Sequence, residues 1–184
     1  KVLFVAPSAS PLGGVAEWLE YLMHGLERRG WHCSLGLVEG PHNRVEPYLA
    51  RHPWHDVRRI ANTTGSREGR VEALAHAIGE KRPDIVAVAN IVDAYAAVRR
   101  LRLQGKTTAR VVMTLHGLQG DLLADVHSER DVLDAVVATN KLAVGLAAAS
   151  LGNTERGFYA AYGVSFPEEF NATARGRGAQ LRLI

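Results

Sequence analysis

The sequence predicts a doubly wound α/β domain with a mostly parallel sheet, in a three-layer α/β/α arrangement. Short continuous apolar runs at residues 1–6, 84–89 and 110–115 are typical of strands buried on both faces of a parallel sheet. The first two runs are each followed by a loop and then by apolar positions at helical spacing. This alternation of strand and helix indicates crossover connections and therefore the α/β class.

The composition supports one globular domain and excludes several other classes of protein. The 184 residues are 47% hydrophobic and 22% charged, which rules out disordered and collagen-like chains. The single cysteine, Cys33, cannot form an internal disulfide or a cysteine-based zinc cluster. The net charge of +3 is mild and the basic residues are dispersed, so we expect no nucleic-acid partner.

The first half of the chain starts with the strand at residues 1–6 and a Gly/Pro loop at residues 7–14. Apolar residues recur at helical spacing over residues 15–29, and Gly30 is expected to end that helix. There follow a second strand at residues 31–38, a polar loop at residues 39–53 with at most one helical turn, and a weak strand at residues 57–61.

The second half repeats the pattern. Ser66 is the predicted N-cap of a helix that stops before Pro83. A strand at residues 84–89 comes next, followed by a helix that carries Ile91, Tyr95, Val98 and Leu101. A further strand at residues 110–115 leads into a loop at residues 116–120. The last predicted elements are a strand at residues 134–138, a helix at residues 141–149 and a short strand at Phe158 and Tyr159. Residues 167–178 are polar and predict a linker.

The loops at the carboxyl ends of the strands are where a sheet of this kind binds its ligands. Gly13 and Gly14 open a helix directly after a buried strand, and the free N–H groups of such a helix N-terminus attract phosphate. The pair is neither a dinucleotide fingerprint nor a P-loop. A plain strand-to-helix turn that needs positive φ explains the two glycines equally well.

His116 and Gly117 follow the buried run at residues 110–115, so the imidazole is expected at the ligand edge. There it could hydrogen-bond a substrate or transfer a proton. The alternative is a histidine that is satisfied by neighbouring loop carbonyl groups. The position of the residue favours the functional interpretation.

Polar residues also follow the fourth and sixth predicted strands. Asn90 and Asp93 come after the fourth strand, and Asp93 is equally well explained as a first-turn carboxylate favoured by the helix dipole. Asn140 is explained best as the N-cap of the helix that it precedes. The other histidines lie on polar helix faces or in loops, so we expect no metal site, and no nucleophile–base pair is evident.

Five segments in order resemble the N-terminal domain of GT-B fold glycosyltransferases of the group 1, or family 4, type. The opening KVLFVAPSASPLGGVAEWLE is similar to that family's first strand, Gly-Gly-Val loop and first helix. RPDIVAVA at residues 82–89 resembles its PDIVHVH strand, with alanines at the usual histidine positions, and RVVMTLHGL at residues 110–118 resembles its vvxTxHg segment. DAVVATN at residues 134–140 and the turn at residues 162–164 stand where the family has dxvixxS and PNGV.

The resemblance implies roles for the residues that match. The backbone of Gly13 and Gly14 would hold the donor diphosphate, and His116 would contact the donor sugar near the reacting carbon. The candidates for binding the acceptor or substrate are Asn90, Asp93, Gly117 and Asn140. A nucleotide sugar is then a co-substrate, and neither a resident cofactor nor a metal ion is expected.

The resemblance also implies a second domain. Residues 1–164 are expected to form the acceptor-side Rossmann-like domain, and residues 165–184 the linker and first strand of a C-terminal nucleotide-sugar-binding domain. The sequence begins within a predicted strand, without an initial Met, and it ends within another predicted strand. We therefore expect the chain to be an inactive part of a longer protein. Glu72 and Glu80 have the spacing of the family's Glu-x7-Glu motif but lie on a predicted helix of the first domain, so we reject that match.

The partners that the resemblance implies are a nucleotide-sugar donor, a carbohydrate, lipid-linked or small-molecule acceptor, and the protein's own C-terminal domain. The transfer is expected to retain the anomeric configuration and to take place in the cytoplasm. Peripheral contact with the inner face of the membrane stays open, because Trp54 lies among basic residues of a predicted loop. A tryptophan packed under its own loop is the alternative.

Two other functions stay open. A nucleotide-sugar epimerase of the same two-domain fold would need a Glu or Asp general base at a strand end, and the Thr-Leu-His-Gly segment at residues 114–117 counts against it. A non-catalytic α/β ligand-binding module would pair the terminal strand at residues 181–184 within its own sheet.

Overall fold

The computed structural model describes residues 1–7, 14–40, 45–54, 56–61, 64–89 and 91–161. Within these residues the strands are Val2–Pro7 (β1), Cys33–Val38 (β2), Val57–Ile60 (β3), Ile85–Ala89 (β4), Arg110–Leu115 (β5), Ala135–Ala138 (β6) and Gly157–Tyr159 (β7). The α-helices are Gly14–Glu27 (α1), Val45–Arg51 (α2), Arg67–Lys81 (α3), Asp93–Leu103 (α4), Gly120–Ser128 (α5) and Lys141–Leu151 (α6). The predicted linker, the predicted terminal strand, Gly13 and Asn90 lie outside the described residues.

The strands form one all-parallel sheet in the order β3-β2-β1-β4-β5-β6-β7, which confirms the predicted doubly wound class. The first strand is central, because Val2 lies opposite Cys33 of β2 on one side and Ile85 of β4 on the other. Burial of β1, β4 and β5 explains why these strands are continuous apolar runs in the sequence.

Helices cover both faces of the sheet. On one face, α3, α4, α5 and α6 enclose the larger hydrophobic core, which includes Leu3, Val88 and Met113. On the other face, α1 and α2 enclose a smaller core around Phe4 and Leu37.

The face that carries α1 is only partly covered among the described residues. An open apolar groove of about 340 Å³ runs between α1 and the strands, with Trp18 and Leu22 on the helix side and Val112, Val137 and Phe158 on the sheet side. The Phe158 side chain is 52% exposed there.

The predicted ends of two helices are confirmed. The Ser66 hydroxyl accepts a hydrogen bond from the Gly69 N–H at 3.0 Å and so caps α3. That helix ends at Lys81, and its C-cap Arg82 takes a left-handed φ of 45° directly before Pro83. Gly30 follows α1 with a φ of 83°, a conformation that glycine adopts without steric cost.

Two helices differ from the sequence-based expectation. The predicted loop after β5 leads into α5, which is held by Leu122, Leu123 and Val126 against the larger core. The predicted polar loop after β2 contains α2, which is longer than the single turn expected. Among the described residues, no helix is both long enough and apolar enough to cross a membrane.

One polar atom in the larger core is unusual. Tyr95 of α4 is 1% exposed, and among the described residues its buried hydroxyl has no hydrogen-bond partner. Burial raises the pKa of Tyr95, and the nearby carboxylates of Asp125 and Glu129 raise it further, so the group stays a neutral phenol. A buried hydroxyl without a partner costs free energy of desolvation.

We therefore predict that Tyr95→Phe raises the free energy of unfolding by about 1 kcal/mol. Urea denaturation of the wild type and the variant measures this difference. A large loss of stability in Tyr95→Phe would show that the hydroxyl has a partner, such as a buried water molecule.

Candidate functional site

The site is centred on His116, which follows β5 at the carboxyl edge of the sheet. Its ring packs edge-on against Trp18 of α1, with ring centroids 4.6 Å apart and an interplanar angle of 81°. Trp18 is 5% exposed and lies close to the start of α1, whose first residue is Gly14. The contact brings together the two segments that the sequence predicts to hold the donor, although β4 lies between their strands.

The surroundings of His116 decide its charge. Burial lowers the pKa of His116 to about 4, so the ring is neutral near pH 7. A neutral imidazole has one N–H donor and one acceptor nitrogen. His116 therefore contributes a neutral hydrogen-bonding ring, and no positive charge, to this edge of the sheet.

Gly14, the first residue of α1, has no close neighbour among the described residues. A Cβ at Gly14 would meet none of the described residues within 4 Å, and the φ of Gly14 is not positive. The interpretation of this residue as a turn glycine that needs positive φ is therefore wrong for Gly14. The first N–H groups of a helix have no partner within the helix, so an anion could approach the backbone here.

The φ of Gly117 is also not positive, and the three atoms nearest to a Cβ built there all belong to the Gln119 side chain. A Cβ at this position would lie 2.2 Å from Gln119 Oε1, an atom at the far end of a flexible chain. The backbone beside His116 therefore does not require glycine for its own conformation.

Asp93, the first residue of α4, already holds two arginines. Arg67 Nε donates to Asp93 Oδ1 at 3.1 Å, and Arg70 Nε donates to Asp93 Oδ2 at 2.6 Å. The Asp93 carboxylate is therefore engaged at both oxygens. Arg67 and Arg70 were not among the residues predicted from the sequence, because the carboxylate that they bind lies on another helix, 26 and 23 residues away.

Asn140 caps α6 as predicted. Its Oδ1 accepts a hydrogen bond from the Ala143 N–H at 2.7 Å, which satisfies a first-turn donor of the helix. This oxygen is accordingly occupied within the protein.

A second polar cluster joins α1 to α2. His52, expected in a polar loop, is 5% exposed, and its Nδ1 lies 2.5 Å from Glu20 Oε2. Its Nε2 lies 4.0 Å from Glu17 Oε1. The possible metal-ligand atoms of Glu17, Glu20 and His52 lie close enough together to hold a metal ion. Two of these atoms, His52 Nδ1 and Glu20 Oε2, already contact each other. The expectation that the protein needs no metal stays a prediction.

Other candidates from the sequence lie away from His116. Glu72 and Glu80 line a polar surface groove between α3 and α4, and Glu80 pairs with Arg58 at 3.0 Å, in line with a solvated helix face. The Trp54 ring lies 4.6 Å from the His24 ring of α1 between centroids, and it is half-buried against the smaller core rather than under its own loop. Membrane contact stays a prediction.

The burial of His116 predicts a dependence of stability on pH. In the unfolded chain a histidine binds its proton near pH 6.5, whereas in the folded chain His116 resists protonation down to about pH 4. Protons therefore favour the unfolded state as the pH falls from about 6.5 to about 4. We expect His116→Gln to reduce this loss of stability by on the order of 1 kcal/mol.

Chemical denaturation at several pH values between 4 and 7 measures this effect. His24→Gln is the matched control, because His24 is exposed on α1. An identical pH dependence in the wild type and His116→Gln would show that the ring is not desolvated.

No family model and no curated protein matches this sequence. The fold matches the lipopolysaccharide outer core galactosyltransferase WaaB, with a TM-score of 0.65 and 12% identity over 84% of this chain and 43% of that one. It also matches MurG of Acinetobacter baumannii, with a TM-score of 0.52 and 16% identity over 76% of this chain and 41% of that one.

An epimerase is similar as well. The UDP-GlcNAc 2-epimerase from Neisseria meningitidis, solved bound to UDP-GlcNAc, matches with a TM-score of 0.62 and 11% identity over 86% of this chain and 44% of that one. The chain spans less than half the length of each of these three proteins. Its fold is thus the Rossmann-like α/β fold found in GT-B glycosyltransferases and in the related UDP-GlcNAc 2-epimerases.

Proposed function

We propose that this chain is the acceptor-side domain of a glycosyltransferase that moves a sugar from a nucleotide-sugar donor to an acceptor. The observation that carries the proposal is the ring contact between His116 and Trp18, at 4.6 Å between centroids. It joins the start of α1 and the end of β5 at one sheet edge, which is where folds of this kind bind ligands. The likeness to WaaB and MurG supports transfer as the reaction.

The chemistry assigned to this edge is binding and charge stabilisation. During transfer the bond from the donor sugar to the diphosphate breaks, an acceptor hydroxyl oxygen bonds to the same carbon, and the hydroxyl proton passes to the departing diphosphate. Negative charge grows on the departing diphosphate, and the free N–H groups at the start of α1 would stabilise it. The neutral ring of His116 would hydrogen-bond the donor sugar and hold its reacting carbon in place.

The rest of the cleft belongs to a second domain in this proposal. The chain spans less than half the length of its structural neighbours, one of which was solved with UDP-GlcNAc bound. We propose that residues 1–164 form the acceptor-side domain and that a C-terminal domain binds the nucleotide. The isolated chain would then be inactive, and the intact protein would act in the cytoplasm as a retaining enzyme of the group 1 type.

Epimerisation is the second candidate, because UDP-GlcNAc 2-epimerases share the fold. An epimerase needs a group that removes or returns a proton at carbon, and Asp93, which follows β4, is a carboxylate near a strand end. Its two oxygens already accept hydrogen bonds from Arg67 and Arg70. Product analysis separates the two functions, since epimerisation returns an inverted nucleotide sugar, whereas transfer releases free nucleoside diphosphate.

We predict that His116→Ala in the intact protein lowers sugar transfer by at least about tenfold, or ~1.4 kcal/mol in the barrier. The reason is the loss of the hydrogen bond to the donor sugar. Release of nucleoside diphosphate in the presence of acceptor measures the rate. His127→Ala is the matched control, because His127 is exposed on α5 beyond the same loop. Equal rates for the wild type and His116→Ala would remove His116 from the site.

We further predict that Gly14→Val raises the donor KM by at least about fivefold while leaving the fold intact, because the new side chain obstructs phosphate and its Cβ meets none of the described residues within 4 Å. Gly25→Val is the matched control, since Gly25 lies in the same helix with equally open space around its Cα. Steady-state kinetics and thermal unfolding of both variants make the comparison. Normal donor kinetics in Gly14→Val would contradict the assignment of the α1 start to the diphosphate.

A further inference from the structure

Two arginines at the start of α3 converge on one carboxylate at the start of α4. Arg67 and Arg70 both use Nε to bind Asp93, at 3.1 Å and 2.6 Å. The Asp93 side chain is only 15% exposed, whereas those of Arg67 and Arg70 are 69% and 40% exposed. A largely buried carboxylate therefore holds two solvent-facing guanidinium groups in fixed positions.

The cluster has an excess of positive charge. Two arginines face one aspartate, and the neighbouring carboxylate of Glu68 is bound 2.5 Å from Arg100 Nη2. Among the described residues, the terminal Nη groups of Arg67 and Arg70 make no hydrogen bond or ion pair. These groups are donors in the planar arrangement that suits the oxygens of a phosphate.

The cluster also lies at the ligand edge of the sheet. Helix α3 begins after β3 and helix α4 begins after β4, so both helices start at the carboxyl ends of parallel strands. Val92, which precedes α4, makes no side-chain cap to the first turn. The positive ends of both helix dipoles add to the charge of the arginines.

We propose that Arg67 and Arg70 form a binding site for a phosphate group and, resting on the proposed function, that this phosphate belongs to the acceptor. The donor diphosphate is assigned to the start of α1, on a different element. Asp93 is then a positioning residue that aims the two guanidinium groups. This revises the sequence-based interpretation of Asp93 as a residue that touches the acceptor itself.

The test is an NMR titration of the chain with inorganic phosphate at constant ionic strength, observing the arginine Nε–Hε signals. We expect saturable shifts at Arg67 and Arg70, and an affinity lowered by at least about fivefold in Arg70→Gln. Arg58→Gln is the matched control, because Arg58 is also 40% exposed and bound to one carboxylate. Arg67→Gln, at the more exposed position, serves if Arg70→Gln does not fold.

The site would be overturned by a weak shift of equal size at all arginines, or by an equal loss of phosphate affinity in Arg58→Gln and Arg70→Gln.

A titration of the intact protein with UDP distinguishes the two sources of phosphate. We expect UDP affinity to be unchanged in Arg70→Gln. Loss of UDP binding in that variant would assign the arginines to the donor and overturn the acceptor assignment. Failure of the wild type to bind any of UDP, GDP and ADP would count against the proposed function, while the phosphate titration would still decide the site.

Discussion

The rest of the structure depends on one constraint, which is that the central strands run parallel to one another. β1 pairs in parallel with both β2 and β4, and β4 pairs in parallel with β5, so all of these strands end at one edge. Every crossover then begins there, which delivers the starts of α1, α3 and α4 and the ring of His116 to the same edge. Residues far apart in sequence become neighbours because the apolar strands must be buried, without any local motif that joins them.

The edge has two chemically different sides. Around His116 and Trp18 it is aromatic and poorly solvated, and this desolvation keeps the imidazole neutral by lowering its pKa to about 4. Around Asp93 it is charged, with two arginines fixed on one carboxylate.

The sequence predicts those features that local burial or capping determines. The continuous apolar runs of β1, β4 and β5 and the caps at Ser66 and Asn140 are of this kind. Helix α5 could not be predicted, because so short a helix depends on packing against α6 rather than on its own propensity. The pairs of Asp93 with Arg67 and Arg70, like that of His52 with Glu20, join different elements, so only the tertiary structure brings them together.

The most direct test of the account is a structure of the intact protein with a nucleotide sugar bound. We expect the diphosphate at the backbone of the α1 start beside Gly14, and the sugar within hydrogen-bond distance of the His116 ring, which is ~3 Å between heavy atoms. We expect no contact between the diphosphate and Arg67 or Arg70. A nucleotide sugar bound away from this edge, or with its sugar out of reach of His116, would contradict the assignment of the carboxyl edge as the transfer site.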